Sequence, residues 1–281
     1  MIPTVSEIDP RFGGILRLYG APALRAISCA HVTVIGLGGV GSWAAEALAR
    51  SGIGKLTLID LDELCITNVN RQVHALTSTV GQSKVATLKK RLNDIHPECP
   101  VHAHEDFLTK KNIESLIPKD CGFLIDAIDS AAVKAELISW ILRAGSTASN
   151  NSKRRLVTTG SSGGKRDAQN ITVTDLGLSQ HDPLLAKVRG ILYRHHGFTR
   201  PNPSRRGSTR KFRVDAISSP EPRVFPAPDG GVSYMKTKLD GAKLDCSQGL
   251  GSSMMVTASF GMLAAQQTLN RIIAAGSKQD L

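Results

Sequence analysis

The sequence is poor in aromatic residues, which make up only 4% of its 281 positions. Any pocket in this protein is therefore walled mostly by aliphatic and polar side chains. Its five cysteines, Cys29, Cys65, Cys99, Cys121 and Cys246, are scattered, and no two form a CxxC pair. "MIPTVSEIDPRFGG" lacks the charged start and apolar run of a secretory signal. An odd cysteine count in that setting reads as reduced thiols, and the expected compartment is the cytoplasm. No segment reaches the roughly 18 apolar residues of a membrane span. The nearest, "GLGSSMMVTASFGMLAAQQTL", is rich in Gly, Ser, Thr and Gln and reads as a buried helix. Positive charge is what the chain has in excess: 35 Lys and Arg against 24 Asp and Glu, a formal net charge of +11. That balance favours an anionic partner, nucleic acid first.

The first two thirds follow a βα rhythm. "HVTVIG", "KLTLID", "VHAHED", "GFLIDAID" and "RLVTTG" have the composition of strands, with "GVGSWAAEALARSG", "GQSKVATLKKRLNDIH" and "SAAVKAELISWILRAG" as helices between them. The pattern predicts an α/β fold: a Rossmann-like, mostly parallel sheet with helices on both faces and an elaborated C-terminal part. We read residues 1–281 as one domain, with a nucleotide-binding part over about 28–160 and a substrate part over about 161–281. Beyond Gly160 the rhythm breaks. "NITVTDL" is one more strand and "DPLLAKVRGILYRHHG" a helix. The next stretch, "FTRPNPSRRGSTRKFRVDAISSPEPRVFPAPDGGVSY", is crowded with Pro, Gly, Ser and Arg and predicts an irregular crossing segment. A final helix is expected near Met254 to Ala275.

The clearest local signal is the run from Val32 to Gln72. The first strand enters Gly36, Gly38, Gly39 and Gly41 and passes directly into a helix. Glycines let the backbone approach a phosphate closely, and the free N–H groups at the helix start favour the anion. The second strand ends in Asp60, placed to hold a ribose hydroxyl, with Asp62 two residues on. An NAD site needs no more than this. Three further features exceed it. Asn68, Asn70, Arg71 and Gln72 form a polar cluster just past the ribose acid. Lys84 opens the next helix. Asp126 and Asp129 end the fourth strand at the carboxyl edge of the sheet, where ligands bind. Converging cations and a carboxylate suit chemistry at a triphosphate, whose leaving-group charge must be neutralised.

Taken together, GxGGxG, DxD, NxNRQ, the helix-opening Lys84 and the DAID strand end resemble the ubiquitin-activating superfamily of adenylating enzymes. The ThiF/MoeB branch is similar over roughly Arg11 to Gly160. "RFGGILRLYG", "TNVNRQVHAL", "LIDAIDS", "LVTTG" and "DCSQGLGSSMMVTASFG" are similar to its tRNA threonylcarbamoyladenosine dehydratase subfamily over nearly the whole chain. That resemblance implies ATP as the nucleotide, tRNA as the partner, and ATP-dependent cyclisation of N6-threonylcarbamoyladenosine by carboxylate activation. It gives Gly39 and its neighbours to the phosphates and Asp60 to the ribose. Asn68, Arg71 and Lys84 take the adenylate and pyrophosphate end, and Asp129 takes Mg2+. It implies a homodimer in which Arg11 reaches into the partner's site. It also brings a cysteine-desulfurase or sulfur-acceptor system as a partner. ThiF/MoeB relatives carry two CxxC pairs for zinc; this chain has none, and no zinc is expected.

Three rivals share parts of this signal. A MoeB-like enzyme adenylating the C-terminus of a ubiquitin-like sulfur carrier would use the same nucleotide loop. An NAD-dependent oxidoreductase would use only its glycines and acid. A non-catalytic tRNA-binding protein would keep the fold alone, but would not need Arg71, Lys84 and Asp129. From Arg189 to Arg213 there are eight Lys and Arg and no Asp or Glu. Arg205, Arg206, Arg210 and Lys211 are the candidate contacts to tRNA phosphates there. The ordinary meaning of such a run is a solvated basic loop, and Cys246 reads as a small buried side chain.

Overall fold

Strand β1 (His31–Ile35) is buried along its whole length, as expected of the central strand of a sheet covered on both sides. The computed structural model describes residues 9–147, 154–200, 211–235 and 250–277. Beside β1 lie β2 (Lys55–Ile59) and then β3 (Val101–His104) on one flank. On the other flank β4 (Phe123–Asp126) is followed by β5 (Arg155–Thr159), β7 (Asp215–Ser218) and β6 (Thr172–Asp175). All neighbours run parallel except the outermost pair, β6 and β7. The order β3-β2-β1-β4-β5-β7-β6 reverses direction between β1 and β4, which makes that junction the topological switch point.

Alternation along the strands sorts the core into two layers. Val32, Val34, Leu56, Leu58 and Ile125 face α3 (Gly41–Arg50), α4 (Lys84–Ile95) and α8 (Met254–Gly276). Ile35, Ile59, Leu124 and Leu156 face α5 (Ile113–Leu116), α6 (Ala131–Thr147) and α7 (Pro183–His195). The α/β sheet covered on both faces is thus as the sequence rhythm predicts. Two N-terminal helices, α1 (Gly13–Tyr19) and α2 (Ala21–Ser28), were not distinguished in the sequence; α2 packs on α8. Among the described residues no helix is long and apolar enough to cross a membrane.

The expected irregular crossing segment is corrected in part. Residues 201–210 of it lie outside the described residues, but its later portion supplies β7, a strand inserted between β5 and β6, and the small hairpin of β8 (Phe225–Pro226) and β9 (Val232–Ser233). Arg- and Pro-rich flanks and a charged first residue hide this short strand in the sequence. Asp215 at its start is clamped by Arg271 on α8 through two bonds of 2.7 Å, and by Gln267 at 3.0 Å. Burial raises the Asp215 pKa, but these bonds outweigh it and hold the carboxyl below its usual range.

Helix α8 comes unusually close to the start of α3. A Cβ on Gly261 would stand 2.5 Å from the Val40 carbonyl oxygen and 2.9 Å from the Trp43 Cβ. We therefore expect Gly261→Val to destabilise the fold by about 1–3 kcal/mol in urea unfolding, as overpacking does. Gly14→Ala, which meets open space on α1, should be neutral or slightly stabilising. Equal stability of Gly261→Val and the parent would contradict this packing.

Candidate active site

A cavity of about 1130 Å3 opens over the carboxyl ends of β1, β2, β4 and β5. Its first wall is the glycine loop. Gly36 has φ +84, and a Cβ there would lie 2.8 Å from the Ala127 carbonyl oxygen, so the loops leaving β1 and β4 pass in backbone contact. A Cβ on Gly41 would collide with the Gly36 carbonyl oxygen, so Gly41 closes the turn from below. Helix α3 then starts at Gly41 with no side-chain cap, and Ser42 N closes onto the Gly38 carbonyl of the loop at 3.2 Å.

Asp60 ties this loop to the second strand. Its Oδ2 accepts from Leu37 N at 2.6 Å and its Oδ1 from Asp62 N at 2.9 Å. Burial raises its pKa, opposed by the nearby Lys84 ammonium and by those two N–H bonds. Lys84 is itself buried, donating to Asp62 Oδ2 at 2.6 Å, with Asp60 Oδ1 at 3.9 Å. The wall continues through the turn after β2. Arg71 Nη1 donates to Thr67 O at 2.7 Å and to Asn70 Oδ1 at 3.1 Å. Trp43 on α3 donates through Nε1 to the Arg71 carbonyl at 2.9 Å and fixes the turn against the helix. Asn68 Oδ1 accepts from Cys65 N at 3.1 Å, which caps the short turn Ile66–Asn68. Gln72 is buried in the wall, and among the described residues its Oε1 has no hydrogen-bond partner. His74 behind it is buried too; burial first, then the charges of Lys84 and Arg91, lower its pKa to about 4.

The structure brings together Gly36, Gly38, Gly39, Asp60, Asp62, Asn68, Arg71, Gln72, Lys84 and Asp129 in one wall. Three expected residues stand elsewhere. Gly41 lies beneath the loop. Asn70 lies outside the wall and holds the Ser252 carbonyl at 2.8 Å, joining the C-terminal segment to the site. Arg11 lies outside the cavity, its side chain 53% exposed and paired with Asp9 at 2.7 Å. Arg205, Arg206, Arg210 and Cys246 lie outside the described residues, as do 148–153 of the segment before β5. Lys211 is exposed beside Phe198 and Phe212.

Asp126 is not the ligand-facing partner of Asp129 that its place in the sequence suggested. It is fully buried, its Oδ1 2.9 Å from Lys134 Nζ and its Oδ2 accepting from Thr158 Oγ1 at 2.7 Å. Ile128 N donates to Oδ1 at 3.1 Å, so the carboxylate shapes the turn that presents the exposed Asp129 to the cavity. Burial lowers the Lys134 pKa, against the pull of Asp126. Nothing in the local sequence distinguishes Lys134 from an ordinary helix-surface lysine; only the strand–helix packing inverts it.

The cavity extends past Asp129 to a second end, walled by Thr159 to Gly163, Leu184, Lys187, Arg223 and Leu250. Its volume exceeds the roughly 300–1,000 Å3 of a pocket for one drug-sized ligand, leaving room for a nucleotide and a second reactant.

The comparisons with known proteins agree with this geometry. The family model described as "ThiF family" matches residues 14–279. The chain belongs to the ThiF family. It is 44% identical over 270 residues to the tRNA threonylcarbamoyladenosine dehydratase of Escherichia coli (strain K12), covering 96% of each chain. The enzyme of that name from Haemophilus influenzae is 39% identical over 269 residues, covering 96% of this chain and 95% of the relative. The crystal structure of E. coli tRNA N6-threonylcarbamoyladenosine dehydratase, TcdA, in complex with ATP aligns with TM-score 0.80 at 40% identity, covering 96% of each chain.

The Asp126–Lys134 pair yields a test of the site's foundation. Lys134→Met strands a buried carboxylate and should cost about 3–5 kcal/mol in urea unfolding. Adding Asp126→Asn should recover part of that loss. A cost near zero for Lys134→Met would place the pair in solvent.

Proposed function

We propose that this protein uses ATP to activate the carboxylate of N6-threonylcarbamoyladenosine in tRNA and closes it into a ring with net loss of water. A carboxylate oxygen bonds to a phosphorus of ATP, and the displaced phosphate group leaves with the electron pair. A nucleophile of the same threonylcarbamoyl group then attacks the activated carbonyl. Its proton goes to solvent, and the original carboxylate oxygen departs in the phosphate-bearing product. The protein's part is positioning and charge neutralisation, with no protein nucleophile required.

The observation that carries this reading is the large cavity at the switch point, lined by the glycine loop, Arg71 and Lys84 towards β1 and by Thr159 to Gly163 and Arg223 towards β5. The relatives matching this chain over nearly their full lengths bear the dehydratase name, which favours this reaction over adenylation of a sulfur carrier. In our assignment the glycine loop and the start of α3 hold the phosphates, and Asp60 holds the ribose. Arg71 and Lys84 neutralise charge on the leaving group. Among the described residues no three His, Cys, Asp or Glu side chains converge on one point, so a cation here draws most of its ligands from phosphate and water. Asp129 fits Mg2+ on those terms, since this ion commonly takes one or two carboxylates beside phosphate oxygens. Bound there, it would add to the neutralisation of phosphate charge.

The partners we assign are tRNA, gripped through Arg205, Arg206, Arg210 and Lys211, and a second copy of the chain. A cysteine-desulfurase or sulfur-acceptor protein joins them on family resemblance alone. A tRNA substrate also suits a cytoplasmic enzyme.

Incubation with ATP, Mg2+ and threonylcarbamoyl-modified tRNA, followed by mass analysis of the nucleosides, should show loss of one water from the modified base. Lys84→Ala and Asp129→Ala should each cut this turnover by about 10²–10³ while retaining the far-ultraviolet dichroism of the parent. Near-parental rates at saturating ATP in either variant would remove that residue from the mechanism.

Arg11 is assigned to the partner's site on family resemblance, and its place outside its own cavity is compatible with that role. Arg11→Ala and Lys84→Ala chains, each inactive alone, should on mixing restore about a quarter of the sites by random pairing. No recovery after verified subunit exchange would exclude the shared site.

A further inference from the structure

The second end of the cavity is lined by a guanidinium whose buried nitrogen is unmatched among the described residues. Arg223 lines it, and among the described residues its buried Nε has no hydrogen-bond partner. The backbone places it firmly. Val224 N donates to the Gly164 carbonyl at 2.8 Å, and Gly164 has φ +75. A Cβ on Gly164 would lie 3.2 Å from the Arg223 Cβ, so the glycine pair after β5 lets the two segments meet.

The acids nearby are already engaged. Glu221 accepts from Arg166 N and Asp167 N, each at 3.0 Å. Asp182 accepts from Ser161 N at 2.9 Å and caps α7 through Leu185 N at 3.0 Å. Charge of the same sign accumulates instead. Lys165 is buried, donating to the carbonyls of Ser219 at 2.6 Å and Glu221 at 2.9 Å. Its pKa is lowered by burial first and by the charge of Arg223, against the pull of Asp182 and Glu221. Lys187, exposed on α7, lines the same end. A buried donor without an acceptor, beside other cations, is costly unless an anion completes it.

We infer that Arg223, flanked by Lys187, binds the carboxylate of the acyl substrate and holds it toward the nucleotide. This rests on the function proposed above and deepens it by naming the group that selects the acid. The phosphate chain is the competing anion. It is assigned to the loop after β1, whereas Arg223 stands beside the loop after β5. Those strands are two places apart in the sheet, about 10 Å at ordinary strand spacing. Asp129 lies between the two ends, on the turn after β4.

The test uses an anticodon stem-loop RNA carrying threonylcarbamoyladenosine, and the same RNA with its carboxylate as a methyl ester. Both are bound to the full-length protein loaded with a non-hydrolysable ATP analogue. The parent should prefer the acid by about tenfold or more, the scale of one charge-assisted bond. Arg223→Gln should erase the preference, Arg223→Lys should keep part of it, and affinity for the ATP analogue should not change. Lys187→Ala, on an exposed position, should reduce the preference partly, which keeps the test readable if Arg223→Gln does not fold. A preference intact in Arg223→Gln, or in Lys187→Ala where that variant must stand in, would overturn the inference. So would weakened ATP binding with the preference retained, which would give Arg223 to the phosphates. Turnover is scored separately: a parent that prefers the acid yet never converts it would refute the proposed reaction and leave the carboxylate site standing.

Discussion

The site depends on one close contact, where the loop leaving β1 meets the loop leaving β4. Only a glycine at position 36 allows it, since any Cβ there would press on the Ala127 carbonyl. The ladder continues across the junction: Gly36 N donates to Ile59 O, and Ala127 N to Ile35 O, each at 2.9 Å. Because β1 and β4 send their chains in opposite directions along the sheet, a crevice opens there. The glycine loop forms one lip and the Ala127–Ser130 turn the other.

Both lips are braced from behind. Asp60 locks the glycine loop through Leu37 N, and Trp43 locks the Arg71 turn to α3. The opposite turn is held by the buried Asp126–Lys134 pair, with Thr158 completing the carboxylate. Such a pair adds little net stability over apolar packing, because desolvation offsets its attraction. Its consequence is geometric, fixing the turn that carries Asp129. The C-terminal third then completes the enclosure. Helix α8 seats Gly261 on the start of α3, and Asn70 fastens the segment before α8 through Ser252.

Legibility in the sequence followed the range of each interaction. The glycine loop, Asp60, Asn68, Arg71, Gln72 and Lys84 could be placed on one wall because strand, turn and helix start are consecutive in the chain, whereas Asn70 of the same turn faces the C-terminal segment. Asp126 looked equally exposed to ligand, since strand-end position says nothing of a lysine arriving from one face of α6. β7 was hidden by its Arg- and Pro-rich flanks, and its charged first residue is satisfied by α8, more than 50 residues away. Arg223 was unremarkable in sequence. It becomes a candidate only when β5, β7 and the β8 hairpin place it in the cavity wall beside engaged acids. Arg11 was named through family resemblance, and within one chain the fold leaves it outside the site.

The central claim is that one cavity joins the carboxylate of a tRNA base to ATP and removes its oxygen as part of a phosphate product. Labelling the threonylcarbamoyl carboxylate with heavy oxygen tests this most directly. After turnover with unlabelled ATP in unlabelled water, one labelled oxygen should appear in the released AMP or phosphate, with the cyclised base retaining the other. Ring closure with no label in any phosphate-bearing product would contradict carboxylate activation by ATP.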